Sequence, residues 1–574
     1  MSRTITDQQG DALQRLSEAL ARAASDVVPG ESSLEATLEA PRNPAFGDFA
    51  SNIALQLAKR ARRPPQQLAE AIVARLRSDD AAADAGLAES SAVGGFINVR
   101  LAPAYWQRVV ARILREGEAY GKSAPTGRRV SIEFGSANPT GPLVVVQGRT
   151  LSLGDSLAKA MRFVGIEVTT EWIINDAGSQ VETLGRSLYA RYRQVADAAF
   201  AFPSDGYPGG YLLPIARDLR ARFGDRYDAA PESDWLPPFA EAGLDALVAG
   251  HKRTAERFGV RYDRWQSEKE LHHSGAVAAG VAALHERGLT FESDGAIWMR
   301  TTDFGDDKDR VLVRNDGRPT YLAPDVAYHY DKLQRNDRAI LILGPDHHGY
   351  ITRLATIAAA FGKPGAIEVL IAQQMTTVRE GRVVSSSKRQ GDVLLLDDVV
   401  DEVGVDATRF FFVMPSADSP MTFDLTLAKE QTSENPVFYV QYGHARIASI
   451  VAKAPARDVE RAAAGESLER LIEPTELALA RRLAEFPSIV RSVVDGLAPH
   501  RLARYAQMVA SDFTQFYMAC KVLGDDATLS VARLALSLAT KHVLASTLRL
   551  LGVGAPESMQ RSADEAALDS ERLA

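Results

Sequence analysis

The sequence predicts a doubly wound α/β sheet preceded by a small α+β domain and followed by an all-α helical bundle. Three observations predict it. From residue 128 the chain runs strand, tight turn, helix and strand again. The first hundred residues mix amphipathic helices with a short alternating strand, and residues 430–559 hold long amphipathic helices with almost no strand signal. At 574 residues the chain is too long for one hydrophobic core. Three domains are therefore expected, over 1–123, 124–425 and 426–574.

Taken in order, Leu13, Leu16, Leu20 and Ala23 recur at helical spacing, so a helix is expected over Asp11–Val28. Further helices are expected over Phe49–Lys59 and, after Pro64, over Pro65–Leu76. Phe96–Leu101 alternates like a strand, and Pro125, Thr126 and Gly127 mark a linker. Val130–Phe134 and Ile166–Ile174 are strand-like and flank a helix over Gly148–Val164, a βαβ unit with a parallel sheet. Ala339–Leu343 and Ile367–Ala372 read as further buried strands. Residues 197–300 are helix-rich and polar without strand alternation, so they are expected to be a helical insertion in the sheet domain. The segment from Gln560 onward is a polar tail.

The balance of charge is acidic, −8, so any nucleic-acid surface must be a local basic face. The single cysteine, Cys520, excludes internal disulfides and cysteine zinc sites, and it is expected to be a small buried residue. No run reaches the ~18–20 apolar residues of a membrane span, and early acids at Asp7 and Asp11 do not fit a signal peptide. A cytoplasmic protein without membrane or DNA partners, and a monomer, is expected.

Five segments could carry chemistry. SANPTGPLVVVQGR (136–149) leaves the first strand and opens the first helix of the βαβ unit, where doubly wound folds bind anionic ligands. Pro139, Gly141 and Pro142 make its backbone irregular; simple strand-to-helix punctuation is the alternative. GPDHHGY (344–350) follows a buried strand, and Asp346 and His347 suit the lining of a nucleotide pocket better than a metal site. The second histidine pair, His272 and His273, is expected on the surface. VVSSSKRQGD (383–392) offers hydroxyls, amides, Lys388 and Arg389 to a polyphosphate, or is a solvated loop. In RPTYLAPD (318–325), Tyr321 and Asp325 stand one helical turn apart and could grip a cation, or serve as a core tyrosine and a cap. In NPVFYVQYGHAR (435–446), Tyr439, Tyr442 and Arg446 share a helical face suited to stacked bases and phosphates, or to core packing.

In this order the segments resemble arginyl-tRNA synthetases, over about residues 40–559. FGDFASN (46–52) and GGFINVRL (94–101) resemble the family's tRNA-elbow-binding domain. INDAGSQ (174–180) joins the catalytic motifs, and DEVGVDATRFFF (401–412) resembles the lead into the anticodon-binding domain. The resemblance implies a class I, Rossmann-like catalytic domain that makes arginyl-adenylate from L-arginine and ATP with Mg2+, then charges tRNA(Arg). No zinc is implied. It places arginine on Glu133, Asn138, Tyr321 and Asp325, and ATP on Pro139, Gly141, Gln147, Gly344, Asp346, His347 and Gly391. Ser387 and Lys388 would be catalytic, and Phe46, Asn52, Tyr439, Tyr442 and Arg446 would meet tRNA.

The sequence also departs from the pattern. Where the family reads HVGH or close to it, this chain has Val144, Val145, Val146 and Gln147. Both imidazoles are gone, and Val146 replaces the glycine that lets adenine lie on bare backbone. The KMSKR-type signature reads Ser385-Ser386-Ser387-Lys388-Arg389, which keeps the later lysine. Two functions follow: an arginine–tRNA ligase weakened in adenylation, or a paralogue that binds tRNA or uses arginine without making adenylate.

Overall fold

The computed structural model describes residues 8–29, 34–39, 41, 43–347, 349–384 and 394–560. They form two compact units, one of residues 1–121, 443–487 and 508–544, the other of 122–442, 488–507 and 545–574. The chain after residue 442 is thus divided between both units and contains only helices among its described residues.

In the first unit, Phe96–Leu101 is the centre of a three-stranded antiparallel sheet, between Phe49–Ser51 and Leu87–Val93. The helix Pro65–Leu76 starts on its proline as expected and buries Leu68, Ala69, Ile72 and Leu76. The helix expected from Phe49 instead begins at Ile53, because Phe49–Ser51 is captured as an edge strand. Gly47, at φ +125°, lets the chain lie against Val99, where a Cβ would fall 2.6 Å from the carbonyl oxygen. The Asp48 carboxylate then accepts from the Leu101 amide at 2.6 Å and locks the pairing. Later in this unit, Arg533 donates to the fully buried Glu476 at 2.7 Å.

The second unit is built on a five-stranded parallel sheet in the order Ile367–Ile371, Arg338–Leu343, Arg129–Phe134, Glu167–Ile174, Arg264–Ser267. Its middle strands are buried on both faces: Val130, Ile132 and Phe134 alternate with buried Ser131 and Glu133, and Arg338–Leu343 is a nearly continuous apolar run. The βαβ unit is present as expected: helix Val145–Phe163 connects Arg129–Phe134 to Glu167–Ile174. Its Gly154 lies directly on Phe134, where a Cβ would sit 2.1 Å from the ring.

The 197–300 segment is helical over Leu212–Phe223 and Glu232–Arg257, but it is not strand-free. Arg264–Ser267 closes the parallel sheet, and Thr290–Ser293 with Ala296–Met299 forms a hairpin that continues to Arg310–Val313. Each of these strands has four residues, too few to register as alternation. Arg264–Ser267 is held by tertiary packing, since Trp265 stacks on Trp172 at 4.8 Å. A second small sheet pairs Met375–Arg379 with Arg382–Val383 and Met421–Asp424.

Helix Val405–Val413 carries a fully buried guanidinium, Arg409, which pairs with Asp155 and donates to the carbonyls of Phe258 and Leu551, each at 3.1 Å. Gly552 makes room for it; a Cβ there would lie 2.2 Å from the guanidinium. Cys520 is buried, as expected. One helix, Ala527–Leu551, is long and apolar enough to cross a membrane by length and composition, and 72% of its apolar window is buried inside the fold, as in a core helix.

Two substitutions test this packing. Gly154→Ala forces the helix off Phe134 and should cost about 1–3 kcal/mol, read as a lower urea midpoint. Arg409→Met leaves Asp155 with Lys159 alone and removes the buried donors to the Phe258 and Leu551 carbonyls, and should cost about 3–5 kcal/mol, read in the same way.

Candidate active site

The parallel sheet has a topological switch point between Arg129–Phe134 and Arg338–Leu343, adjacent strands whose chain connections leave in opposite directions. Ligands of doubly wound sheets bind in that crevice, outside the carboxyl ends of the strands. Two of the candidate segments meet there. Pro139, Gly141 and Gln147 lie on the turn after Phe134, while Gly344, Asp346 and His347 follow Leu343. Asp346 and His347 are exposed, and the His347 amide donates to the Gly344 carbonyl at 3.2 Å in a tight turn.

The first turn is held from several sides. Tyr211 donates its hydroxyl to the Thr140 carbonyl at 2.6 Å, and the buried His251 meets the Gly141 carbonyl through Nε2 at 2.8 Å. Burial pushes the Tyr211 phenol up to about 12 and keeps it a donor. The same helix as His251 continues to Thr254 and Arg257, which hold Asp397 at 2.6 and 3.2 Å. Asp397 opens helix Leu396–Val403, just after the Ser-rich segment. The Val145 amide donates to Leu394 and the Leu396 amide to Leu143, so the turn pairs with the chain that leaves that segment.

Arg149 anchors the chain on the entry side. Its guanidinium donates to the carbonyls of Gln373, Ser416 and Ser419 at 2.7, 2.9 and 2.8 Å. Burial lowers its pKa to about 10, against the pull of Asp418. Ser387, Lys388 and Gly391, expected on this loop, lie outside the described residues, as does the 385–389 signature.

Carboxylates gather beside the turn. Asp325, on helix Leu322–Arg335, is hydrogen-bonded by the Tyr350 hydroxyl and lies 3.6 Å from Arg353. Burial pushes the Asp325 carboxyl up to about 6, although Tyr350 and Arg353 favour its charged form and Glu133 disfavours it. Glu268 is also held above the usual carboxylate range, by burial first and then by Asp325 and Asp176. Among the described residues no three His, Cys, Asp or Glu side chains converge as metal ligands. A guanidinium is a cation that paired carboxylates such as these can accept.

The predicted arginine ligands do not all share this pocket. Asn138 is exposed beside it and accepts from Asn175 at 2.7 Å. Glu133 is buried and committed to Lys332. Tyr321 is 84% exposed at the head of the Asp325 helix, so the two do not grip one cation in this conformation. Glu268, Tyr211 and His251 lie outside the candidate segments, and Asp176, Tyr350 and Arg149 lie inside them without being singled out, since each acts through a partner far away along the chain. The local signal beside Glu268 is Ser267, which caps the 268–273 helix by accepting from the Glu270 amide.

The expected tRNA residues are scattered in the same way. Phe46 is 45% exposed, and Asn52, at the head of helix Ile53–Ala61, accepts from Gln56 at 2.8 Å. On helix Pro436–Lys453, Tyr442 is only 6% exposed and stacks on Phe438, so its ring belongs to the packing rather than to an open stacking face. Tyr439 and Arg446 are half-buried, and Arg446 lies over Tyr517 at 5.1 Å.

Three domain families match the chain in the order the motifs suggest. Residues 13–101 match the arginyl tRNA synthetase N terminal domain, 248–412 the class I (R) tRNA synthetase catalytic domain, and 440–559 the DALR anticodon binding domain. A relative from Syntrophotalea carbinolica is 43% identical over 92% of this chain and 95% of its own length. One from Frankia alni is 44% identical over 91% and 94%. Both are named arginine–tRNA ligase. The chain belongs to the arginyl-tRNA synthetase family. Its fold is shared with the Thermus thermophilus arginyl-tRNA synthetase (TM-score 0.72, 23% identity, 95% of this chain and 100% of that one). The Plasmodium falciparum arginyl-tRNA synthetase is also similar in fold (TM-score 0.71, 17% identity, 95% and 98%). It is a class I ligase, and ATP use is part of that class.

The titration of Asp325 gives a test with a defined sign. With Asp325 taken as the carboxylate that meets a guanidinium, its ionised form is needed, so the KM for arginine should rise as pH falls from 7 through about 6. Tyr350→Phe removes a hydrogen bond that favours the carboxylate and should move that rise to higher pH. Pyrophosphate exchange at varied arginine concentration and pH measures both.

Proposed function

We propose that the chain, an arginine–tRNA ligase, activates L-arginine with ATP as arginyl-adenylate, releasing diphosphate, and passes the arginyl group to tRNA(Arg), releasing AMP. The observation that carries this is the placement of a carboxylate pocket, Asp325 with Glu268, next to the nucleotide turn at the sheet's switch point. Asp325, Glu268 and Asn138 receive the substrate arginine, with Tyr321 folding in from solvent and Glu133 supporting from beneath. ATP lies over Pro139, Gly141 and Gln147 and against Gly344, Asp346 and His347. Mg2+ rides on the phosphates rather than in a protein cage, in keeping with the ligand sets of that ion. By family resemblance Ser387 and Lys388 are catalytic and Gly391 binds ATP.

tRNA(Arg) is met by Phe46 and Asn52 in the N-terminal domain and by Tyr439 and Arg446 near the anticodon-binding domain. We keep the domain boundaries at 1–123, 124–425 and 426–574, and propose a monomeric cytoplasmic enzyme without membrane or DNA partners. The alternative of a paralogue that has left ligase chemistry is not supported, since relatives 40–44% identical over most of the chain are named ligases.

The ATP turn limits the rate of the first step. Losing one preorganised donor to a transition state typically costs about 10²–10³ in rate, and this turn lacks two imidazoles. Arginine-dependent, tRNA-dependent exchange of pyrophosphate into ATP should therefore be present but slow, and no exchange at all would overturn the ligase assignment. Val144→His with Val146→Gly and Gln147→His in one chain should raise the exchange kcat by at least about tenfold.

A further inference from the structure

Asp48 lies between Phe46 and Asn52 in the FGDFASN segment, and it is buried where those two are exposed. Its side chain is only 1% exposed, and its two oxygens have different partners. Oδ2 accepts from the Leu101 amide at 2.6 Å, inside the antiparallel sheet. Oδ1 forms an ion pair with Arg481 Nε at 2.7 Å, and among the described residues no other cation pairs with it. Arg481 belongs to helix Pro474–Ala484, within the stretch that matches the anticodon binding domain. Its guanidinium carbon lies 5.4 Å from the centre of the buried Trp106 ring. A buried carboxylate is costly without a cation, and an arginine keeps its charge at neutral pH.

The pair belongs to a wider contact. Helix Pro103–Glu116 packs against helix Pro474–Ala484. From it Gln107 donates through Nε2 to the Leu471 and Glu469 carbonyls at 3.1 and 3.3 Å, and beyond it Tyr120 stacks on Phe486 at 6.2 Å. The 46–52 segment and helix Pro474–Ala484 are thus parts of one compact unit, residues 1–121 with 443–487 and 508–544. Of these contacts, the ion pair is the one that reaches the segment itself.

We propose that Arg481 is a positioning residue for tRNA(Arg), which through Asp48 holds the 46–52 segment where Phe46 and Asn52 meet the tRNA. The elbow and the anticodon arm of one tRNA are then met by parts fixed to each other. Two contacts on one stiff ligand gain from having their separation set before binding. The ion pair sets it, because moving the segment away strips a buried carboxylate of its cation. This rests on the tRNA contacts proposed above and adds the group that ties them to the helical bundle.

Fold and positioning separate by the choice of RNA. Aminoacylation at varied tRNA(Arg), and binding of a stem–loop that carries only the anticodon arm, are measured on the full-length chain and its variants. Arg481→Met keeps an apolar stem over Trp106 and removes the charge. It should raise the KM for tRNA about 2- to 30-fold at unchanged kcat, with the affinity for the stem–loop unaltered. Asp48→Asn keeps an oxygen for the Leu101 amide and should raise the KM over the same range. The double variant leaves no unpaired charge, so its KM should lie below the product of the two single effects. A KM unchanged in both single variants, or an equal loss of affinity for the stem–loop, would overturn the proposal. If Phe46→Ala and Asn52→Ala raise the KM and Arg481→Met does not, the contacts stand and the positioning role falls. If Arg481→Met raises it and those two do not, the named contacts fall and the segment meets tRNA through other residues.

Discussion

The Lys332 ammonium has no exposed surface, and the geometry of the catalytic unit turns on how it is neutralised. It is paired with Glu133, lies 4.0 Å from Glu171 and sits 4.1 Å over the ring of Tyr328. Glu133 and Glu171 stand opposite each other on neighbouring parallel strands, so one lysine spans the two strands in register. A slip of one residue would turn one carboxylate to the other face and leave a buried charge without its partner, a loss of several kcal/mol. Arg335, one turn further along the helix, reaches Glu171 at 2.9 Å and Asp331 at 2.8 Å. The helix Leu322–Arg335 is therefore fixed against the sheet at one end, and it carries Asp325 two turns away at the other.

The nucleotide turn is preorganised by a different device, hydrogen bonds to its own carbonyls. Tyr211 and His251 take Thr140 and Gly141, and Thr254 and Arg257 on the His251 helix take Asp397. The residues between the first two strands of the sheet and Arg264–Ser267 thus act as a brace across two segments that are far apart in sequence. Arg149 does the same with carbonyls on either side of residue 417. Such bonds cost the turn its freedom before any substrate arrives, which is where an adenylating site gains most from rigidity.

The sheet was legible because short runs rich in β-branched and aromatic residues, flanked by glycine and proline, fall at Arg129–Phe134, Glu167–Ile174 and Arg338–Leu343. Arg264–Ser267 was not, since a four-residue edge strand containing Arg264 and Gln266 has no pattern of its own. The aromatic face at 439–446 shows a different limit: helical spacing groups Tyr439, Tyr442 and Arg446 without saying which side faces the core, and Tyr442 turned inward. Glu133 looked like a substrate ligand because nothing nearby in sequence announces that Lys332, 199 residues on, will claim it. Motif order identified the family; which carboxylates stay open depended on long-range charge pairing.

Val146 changes the site in a way that matters for small molecules. Other members of the family are expected to present bare glycine backbone to adenine at this place, whereas this chain presents a branched side chain, 37% exposed, on a turn whose flanking amides are tied down. Because that turn is rigid, the valine cannot simply swing aside. An inhibitor shaped to lie flat on a glycine turn would meet two methyl groups here. An exposed branched side chain on a tied-down turn is thus a chemical signature of this chain.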